Sequence, residues 1–221
     1  MFHDRAEAGR QLAEKLVPLV SGPAVVAGIP RGGLAVALPV VERLRVPLTA
    51  VYARKLTSPS APELAFGAVD EDGETLLDPS TVALLDLTHD DIEAAKTKVR
   101  AEIQRRMTLY RVPSLAHYLP ECSVILVDDG LATGLTMRAA LRYARRHGAR
   151  EIIVAAPCAA ARTAERFRQE ADRFLSLIVD ENFYAVGQYY IDFPQVSDAE
   201  VVGMLERARA LVAEANRQHP V

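Results

Sequence analysis

The stretch that most constrains this chain is Val124-Ile125-Leu126-Val127-Asp128-Asp129-Gly130-Leu131-Ala132-Thr133-Gly134-Leu135-Thr136. Four consecutive apolar, mostly β-branched residues read as a strand buried on both faces, the habit of a parallel sheet. Two carboxylates stand where that strand ends. Gly130 and Gly134 then bracket a short loop with hydroxyls, and Met137 to His147 has helical spacing, with Met137, Ala140, Leu141 and Ala144 on one side. A chain built around strand, acidic pair, small-residue loop and helix is expected to be α/β, doubly wound, with a mainly parallel sheet and flanking helices.

The order of these parts suggests a chemistry. A helix begins with backbone N–H groups that lack partners, so a loop of small residues leading into it can wrap a phosphate. Thr133 and Thr136 can add hydroxyl donors. Asp128 and Asp129 accept hydrogen bonds when ionised, which suits them to vicinal hydroxyls or a hydrated Mg²⁺ rather than to the phosphate. Adjacent carboxylates repel, and an empty site is expected to leave that repulsion uncompensated. No G-x-x-x-x-G-K-[ST] and no helix-opening G-x-G-x-x-G occurs, which removes the P-loop and the dinucleotide fingerprint.

The stretch resembles the binding motif for 5-phosphoribosyl 1-pyrophosphate (PRPP) of the type I phosphoribosyltransferases: a hydrophobic run, two acidic residues, then a Gly/Ala/Thr-rich loop ending in Thr. The resemblance implies that Gly130, Leu131, Ala132, Thr133, Gly134, Leu135 and Thr136 hold the 5′-phosphate. Asp128 and Asp129 would meet the ribose hydroxyls or Mg²⁺. The implied activity is Mg²⁺-dependent transfer of the 5-phosphoribosyl group to a nucleobase or related small acceptor, with release of pyrophosphate. The same fold also serves in proteins that sense PRPP or nucleotides with little catalysis.

Upstream, Asp4 and Glu7 read as a capping box for a helix with Ala6, Gly9, Leu12, Ala13, Leu16 and Val17 on one face. Ala24 to Gly28 reads as a buried strand that hands over to Ile29-Pro30-Arg31-Gly32-Gly33 and a helix from about Leu34 to Leu44. Gly32 and Gly33 can turn successive N–H groups toward an anion, and Arg31 supplies a planar donor fork. Pro30-Arg31-Gly32-Gly33 looks like the pyrophosphate loop of the same family. Leu48 to Ala53 is expected as the next strand, ending in Arg54-Lys55; the resemblance implies that this basic pair approaches the pyrophosphate. Beyond Ser58, Pro59, Ser60 and Pro62, Leu64 to Val69 and Glu74 to Leu77 read as two strands joined by the turn Asp70 to Gly73. Type I enzymes carry a cover over the reacting centre here, about residues 57–80. This cover departs from better-known members, since no Lys, Arg or His lies between Lys55 and His89. The load on the pyrophosphate would fall to Mg²⁺, Arg31 and Lys55, or to a neighbouring subunit.

Thr88 to Asp91 opens a long helix with the stripe Ile92, Ala95, Val99, Ile103, Met107 and Tyr110; its basic faces suit solvent or a second subunit, as in a homodimer. After the central motif, Glu151 to Ala156 reads as a strand ending at Pro157-Cys158-Ala159, Thr163 to Ala171 as a helix and Phe174 to Val179 as the last strand. The segment 182–193 gathers Phe183, Tyr184, Tyr189, Tyr190 and Phe193, either as core or as a hood, about 181–195, on which a base stacks. Tyr184 to Gly187 with Asp192 faintly resembles the closing segment of hypoxanthine-guanine phosphoribosyltransferases, so Tyr184, Pro157 and Cys158 are candidate base contacts. The lysine those enzymes use for the purine oxygen has no match after Ala156. Ser197 and Glu200 form a second capping box for a helix through about Ala213, and Asn216 to Val221 are expected to fray.

With 221 residues, 50% hydrophobic and 25% charged, the chain suffices for one such domain. A net charge of −3 gives no nucleic-acid footprint. Two cysteines, Cys122 and Cys158, and five scattered histidines give no disulfide or zinc framework, so a reducing cytoplasm is the default. No signal peptide or membrane span is visible in the sequence.

Overall fold

The computed structural model describes residues 1–218; the last helix runs on past Ala213 to Gln218, so residues 216–218 do not fray as expected, and the rest of that expectation, at 219–221 with His219, lies outside the described residues. In chain order the strands are β1 (Ala24–Gly28), β2 (Leu48–Ala50), β3 (Ala53–Ser58), β4 (Ala61–Asp70), β5 (Thr75–Leu77), β6 (Ser123–Val127), β7 (Ile152–Ala160) and β8 (Arg173–Asp180). The helices are α1 (Arg5–Leu16), α2 (Gly32–Leu44), α3 (Pro79–Leu84), α4 (His89–Tyr110), α5 (Leu135–Arg146), α6 (Ala161–Glu170) and α7 (Asp198–Gln218).

Five strands form a parallel sheet in the order β2-β1-β6-β7-β8. Alternate residues of β6 serve opposite faces. Val124 and Leu126 join the core beneath α5 and α6, while Ile125 and Val127 join the core beneath α1, α2 and α7. Both faces are thus covered, which is why β1 and β6 read as unbroken apolar runs. The chain leaves β1 for β2 on one side and returns to β6 on the other, so winding reverses between β1 and β6. Loops after these two strands therefore part to opposite faces and leave a crevice at the carboxyl ends.

Two expected strands come out differently. Leu48 to Ala53 is not one strand: after Val51 donates to Gly28 O at 3.1 Å, β1 has ended, and the chain turns into β3 of a separate antiparallel sheet, β3-β4-β5. Arg54 and Lys55 consequently lie inside β3, on opposite faces of it, rather than at the end of a parallel strand. The segment from Glu151 likewise does not stop at Ala156. β7 continues through Pro157 and Cys158, because its neighbour β6 has no partner beyond Val127↔Ala155 and the missing proline N–H breaks no ladder there. The short α3, capped by Asp78 with Pro79 in its first turn, was not expected from the pattern.

The N-terminal capping box is half formed: Asp4 accepts from Glu7 N at 2.7 Å, but the Glu7 carboxylate takes the N–H of His3 instead. The boxes at Thr88/Asp91 and Ser197/Glu200 form in full. No helix among the described residues is long and apolar enough to cross a membrane.

Candidate functional site

The turns after β1 and β6 meet face to face. A Cβ on Gly33 would lie 2.5 Å from Val127 O, and one on Gly32 would overlap the Asp129 carboxylate. Two glycines in sequence are what allow the loops to approach this closely. Within the first loop the Gly33 N–H is spent on Ile29 O at 3.0 Å, so the expected pair of glycine donors reduces to Gly32. The Pro30–Arg31 peptide is cis.

On the second loop, Gly134 is the N-cap of α5 with φ 72, and no side chain caps the helix. The Leu135 N–H makes a long contact to Thr133 Oγ1 at 3.5 Å, while the amides of Thr136, Ala132 and Thr133 are open to an anion. Leu131 is the exception in the predicted set. It is buried, its N–H bonds Cys158 O at 2.9 Å, and its carbonyl accepts from Ala160 N, so it fixes the loop to β7. Thr163 Oγ1 donates to Ala132 O at 2.5 Å and secures the other side.

Asp128 is half-buried beside a second carboxylate. Burial, and then the charge of Asp129, raise its pKa well above the usual 3.8, with Lys55 and Arg5 pulling the other way. Asp128 Oδ1 accepts from Asp129 N at 2.9 Å. Asp129 has a partner that the sequence did not announce: Arg5 Nε, 2.8 Å from Oδ2, with both side chains largely buried. The expected uncompensated repulsion is therefore relieved on the Asp129 side by an ion pair from the start of α1. Arg5 also donates from Nη1 to Pro194 O at 2.7 Å and stacks on Phe193, 3.7 Å from ring centre to guanidinium carbon.

Lys55 and Asp128 through Met137 line a cavity of about 120 Å³, so Lys55 belongs to the corner as expected. Arg54 does not: it faces Glu102 of α4 at 3.6 Å. Arg31 is also turned aside, toward Asp198 Oδ1 at 3.8 Å, in a network where Asp198 accepts from Arg105 and Tyr110. Pro30 lies with Arg54 and Arg106 against that network.

The hood residues divide. Phe183, Tyr189, Tyr190 and Phe193 pack with Phe2, and Tyr190 OH donates to Asp129 O at 2.7 Å, which makes this segment core for the corner. Tyr184 is 87% exposed and is not brought to the cavity. Val186 is the hood residue that lines it, pressing on Gly130 together with Cys158 Sγ. Pro157 and Cys158 are interior to β7, and burial followed by the charges of Asp129 and Asp128 pushes the Cys158 thiol up to about 12, so it is no nucleophile.

A larger cavity, about 560 Å³, lies across Ala132 and Thr133, with Leu64, Leu77, Arg162 and Arg166 in its wall. It has no acidic pair for a diol, so the smaller corner is the better chemical fit. Arg5 and Thr163 are site residues that sequence reasoning missed, each reaching the corner from a distant segment without a local motif; Tyr190 and Val186 lay in the segment read as core or hood, without being singled out for the corner.

Residues 2–194 match the phosphoribosyl transferase domain family. Two Mycobacterium tuberculosis proteins, MT0597 and Rv0571c, which bear the provisional name phosphoribosyl transferase, are 42% identical over 215 residues, 97% of this chain. The chain spans about half the length of these curated relatives, 48%. The crystal structure of TT1426 from Thermus thermophilus superposes with a TM-score of 0.73 at 39% identity, covering 93% of this chain and 98% of that one.

Proposed function

The chain belongs to the phosphoribosyl transferase domain family, and from that premise we propose that it transfers the 5-phosphoribosyl group of PRPP to a nucleobase or related small acceptor. The observation that carries this reading is the acidic pair at the end of β6, set between an uncapped helix N-terminus and the turn after β1.

In this reading the amides of Ala132, Thr133, Gly134, Leu135 and Thr136 receive the 5′-phosphate, with Gly130 giving room and Leu131 locking the loop. Asp128 and Asp129 take the ribose hydroxyls. The turn Pro30, Arg31, Gly32, Gly33 receives the pyrophosphate, and Lys55 adds charge from β3. The anomeric C–O bond breaks with its electron pair passing to pyrophosphate; the acceptor's lone pair forms the new bond, and its proton is released. Charge builds at the anomeric carbon as in glycoside chemistry, so the protein acts by positioning and electrostatics, with no protein nucleophile.

No group of three or more metal-ligating side chains occurs among the described residues. Two adjacent carboxylates with an incoming polyphosphate nevertheless fit Mg²⁺, which keeps waters and is shared with substrate phosphates. Asp128 and Asp129 would hold it, directly or through water, and when bound it neutralises the leaving group. The acceptor would enter beside Val186 rather than at Tyr184, which lies away from the cavity, or at Pro157 and Cys158, which are buried inside β7. The reading also carries a homodimer, a cytoplasmic setting and no nucleic-acid or membrane partner.

The cation-free cover, residues 56–88, favours a second reading, a PRPP or nucleotide sensor with little catalysis. Pyrophosphate release from PRPP and Mg²⁺ across a panel of bases separates the two. The transferase reading expects turnover with at least one acceptor; saturable PRPP binding without turnover on any of them supports the sensor. Loss of neither binding nor turnover in the doubly substituted Asp128→Asn, Asp129→Asn protein would contradict both.

A further inference from the structure

Breaking the C–O bond leaves an extra negative charge on pyrophosphate, and from the hairpin sheet Lys55 of β3 alone reaches the corner, since residues 56–88 contain no Lys, Arg or His. Arg31 is turned toward Asp198 and Arg54 toward Glu102. Arg5 is differently placed. A Cβ on Gly32 would lie 3.1 Å from Arg5 Nε, so the guanidinium rests directly against the turn after β1.

We propose that Arg5 is a second leaving-group cation of this site, beside Lys55: before substrate binds it holds Asp129, and when the ribose diol takes that carboxylate, its fork passes to the pyrophosphate beside Gly32. The inference rests on the transferase reading above.

Its anchoring suits such an exchange. The backbone before α1 is fixed, because Phe2 N donates to Tyr189 O and Phe2 O accepts from Ile191 N. The side chain, by contrast, is held on the face of Phe193, a contact without a directional bond, and by two hydrogen bonds. Of the five N–H donors of an arginine, three have no acceptor among the described residues. A planar fork matches phosphate oxygens in pairs, which a lysine at the same place would not. Exchange also settles a conflict in the resting arrangement, where Asp129 cannot offer Oδ2 fully to a diol while it serves Arg5.

The experiment is calorimetric titration of wild type, Arg5→Gln and Arg5→Lys with PRPP, which carries both diol and pyrophosphate, and, separately, ribose 5-phosphate, which carries the diol alone, each with Mg²⁺. Arg5→Gln should weaken PRPP binding by about tenfold or more, in line with a lost charge-assisted pair, and ribose 5-phosphate by less than about twofold. Arg5→Lys should fall between, and it carries the test if the glutamine variant does not fold. An equal or larger loss for ribose 5-phosphate would mean that Arg5 only props Asp129, and unchanged affinities would mean no role; either overturns the inference and leaves the transferase reading standing. Wild type that binds neither probe would overturn both.

Discussion

Asp128 and Asp129 are chemically identical neighbours that the fold treats in opposite ways. Asp128 is half-buried with no salt bridge, whereas Asp129 is paired with Arg5 at 2.8 Å. Removing the first charge relieves a desolvation penalty, while removing the second leaves a largely buried guanidinium without its carboxylate. Asp128→Asn should therefore raise the unfolding free energy by about 1 kcal/mol at pH 7, and Asp129→Asn should lower it by about 1–3 kcal/mol, measured by chemical denaturation. The pH dependence follows the same sign. A carboxyl whose folded pKa is raised is harmless below its ordinary value of 3.8 and increasingly destabilising as pH rises through the folded value. The gain from Asp128→Asn should accordingly vanish near pH 4; a gain that persists there would contradict the burial account. Adjacent acids after an apolar run are visible in the sequence. The arginine that separates their roles lies 124 residues away, and no local pattern points to it.

At the scale of elements, the parts that local periodicity controls were legible: β1 falls at Ala24–Gly28, β6 follows the apolar run, and the capping boxes at Thr88 and Ser197 open α4 and α7. What was not legible depends on which strand lies alongside. β2 and β3 share one sequence run but join different sheets, and β7 passes through Pro157 only because β6 has ended. The same dependence on neighbours marks Gly134. Its φ of 72 suits glycine, and an added Cβ would lie 2.8 Å from both Phe167 and Thr163 of α6. Gly134→Ala should cost about 1–3 kcal/mol of stability and weaken inorganic phosphate binding with it, whereas Gly203→Ala, where nothing lies within 4 Å of the added carbon, should do neither. Equal effects at the two positions would remove the case for a shaped loop.

For the whole molecule, the strand order β2-β1-β6-β7-β8 puts the reversal of winding between the two strands whose turns carry the acids and the Gly-Gly pair. That coincidence could be anticipated from two strand-to-loop-to-helix units in the sequence, but the contact of the two turns needed the sheet order to be known. The N-terminal residues and the segment 182–193 close the same corner from outside, through Phe2, Arg5 and Tyr190, so segments far apart in the chain converge on one short strand end. Sedimentation should find a homodimer if α4 docks on a second subunit, and a monomer would remove that part of the reading. The most direct measurement is a crystal structure of the protein grown with PRPP and Mg²⁺. The 5′-phosphate should then lie within hydrogen-bond distance of the amides of Ala132 to Thr136, with the ribose diol on Asp128 and Asp129. A phosphate held instead by Arg162 and Arg166 across the loop, with the acidic corner empty, would contradict the assignment.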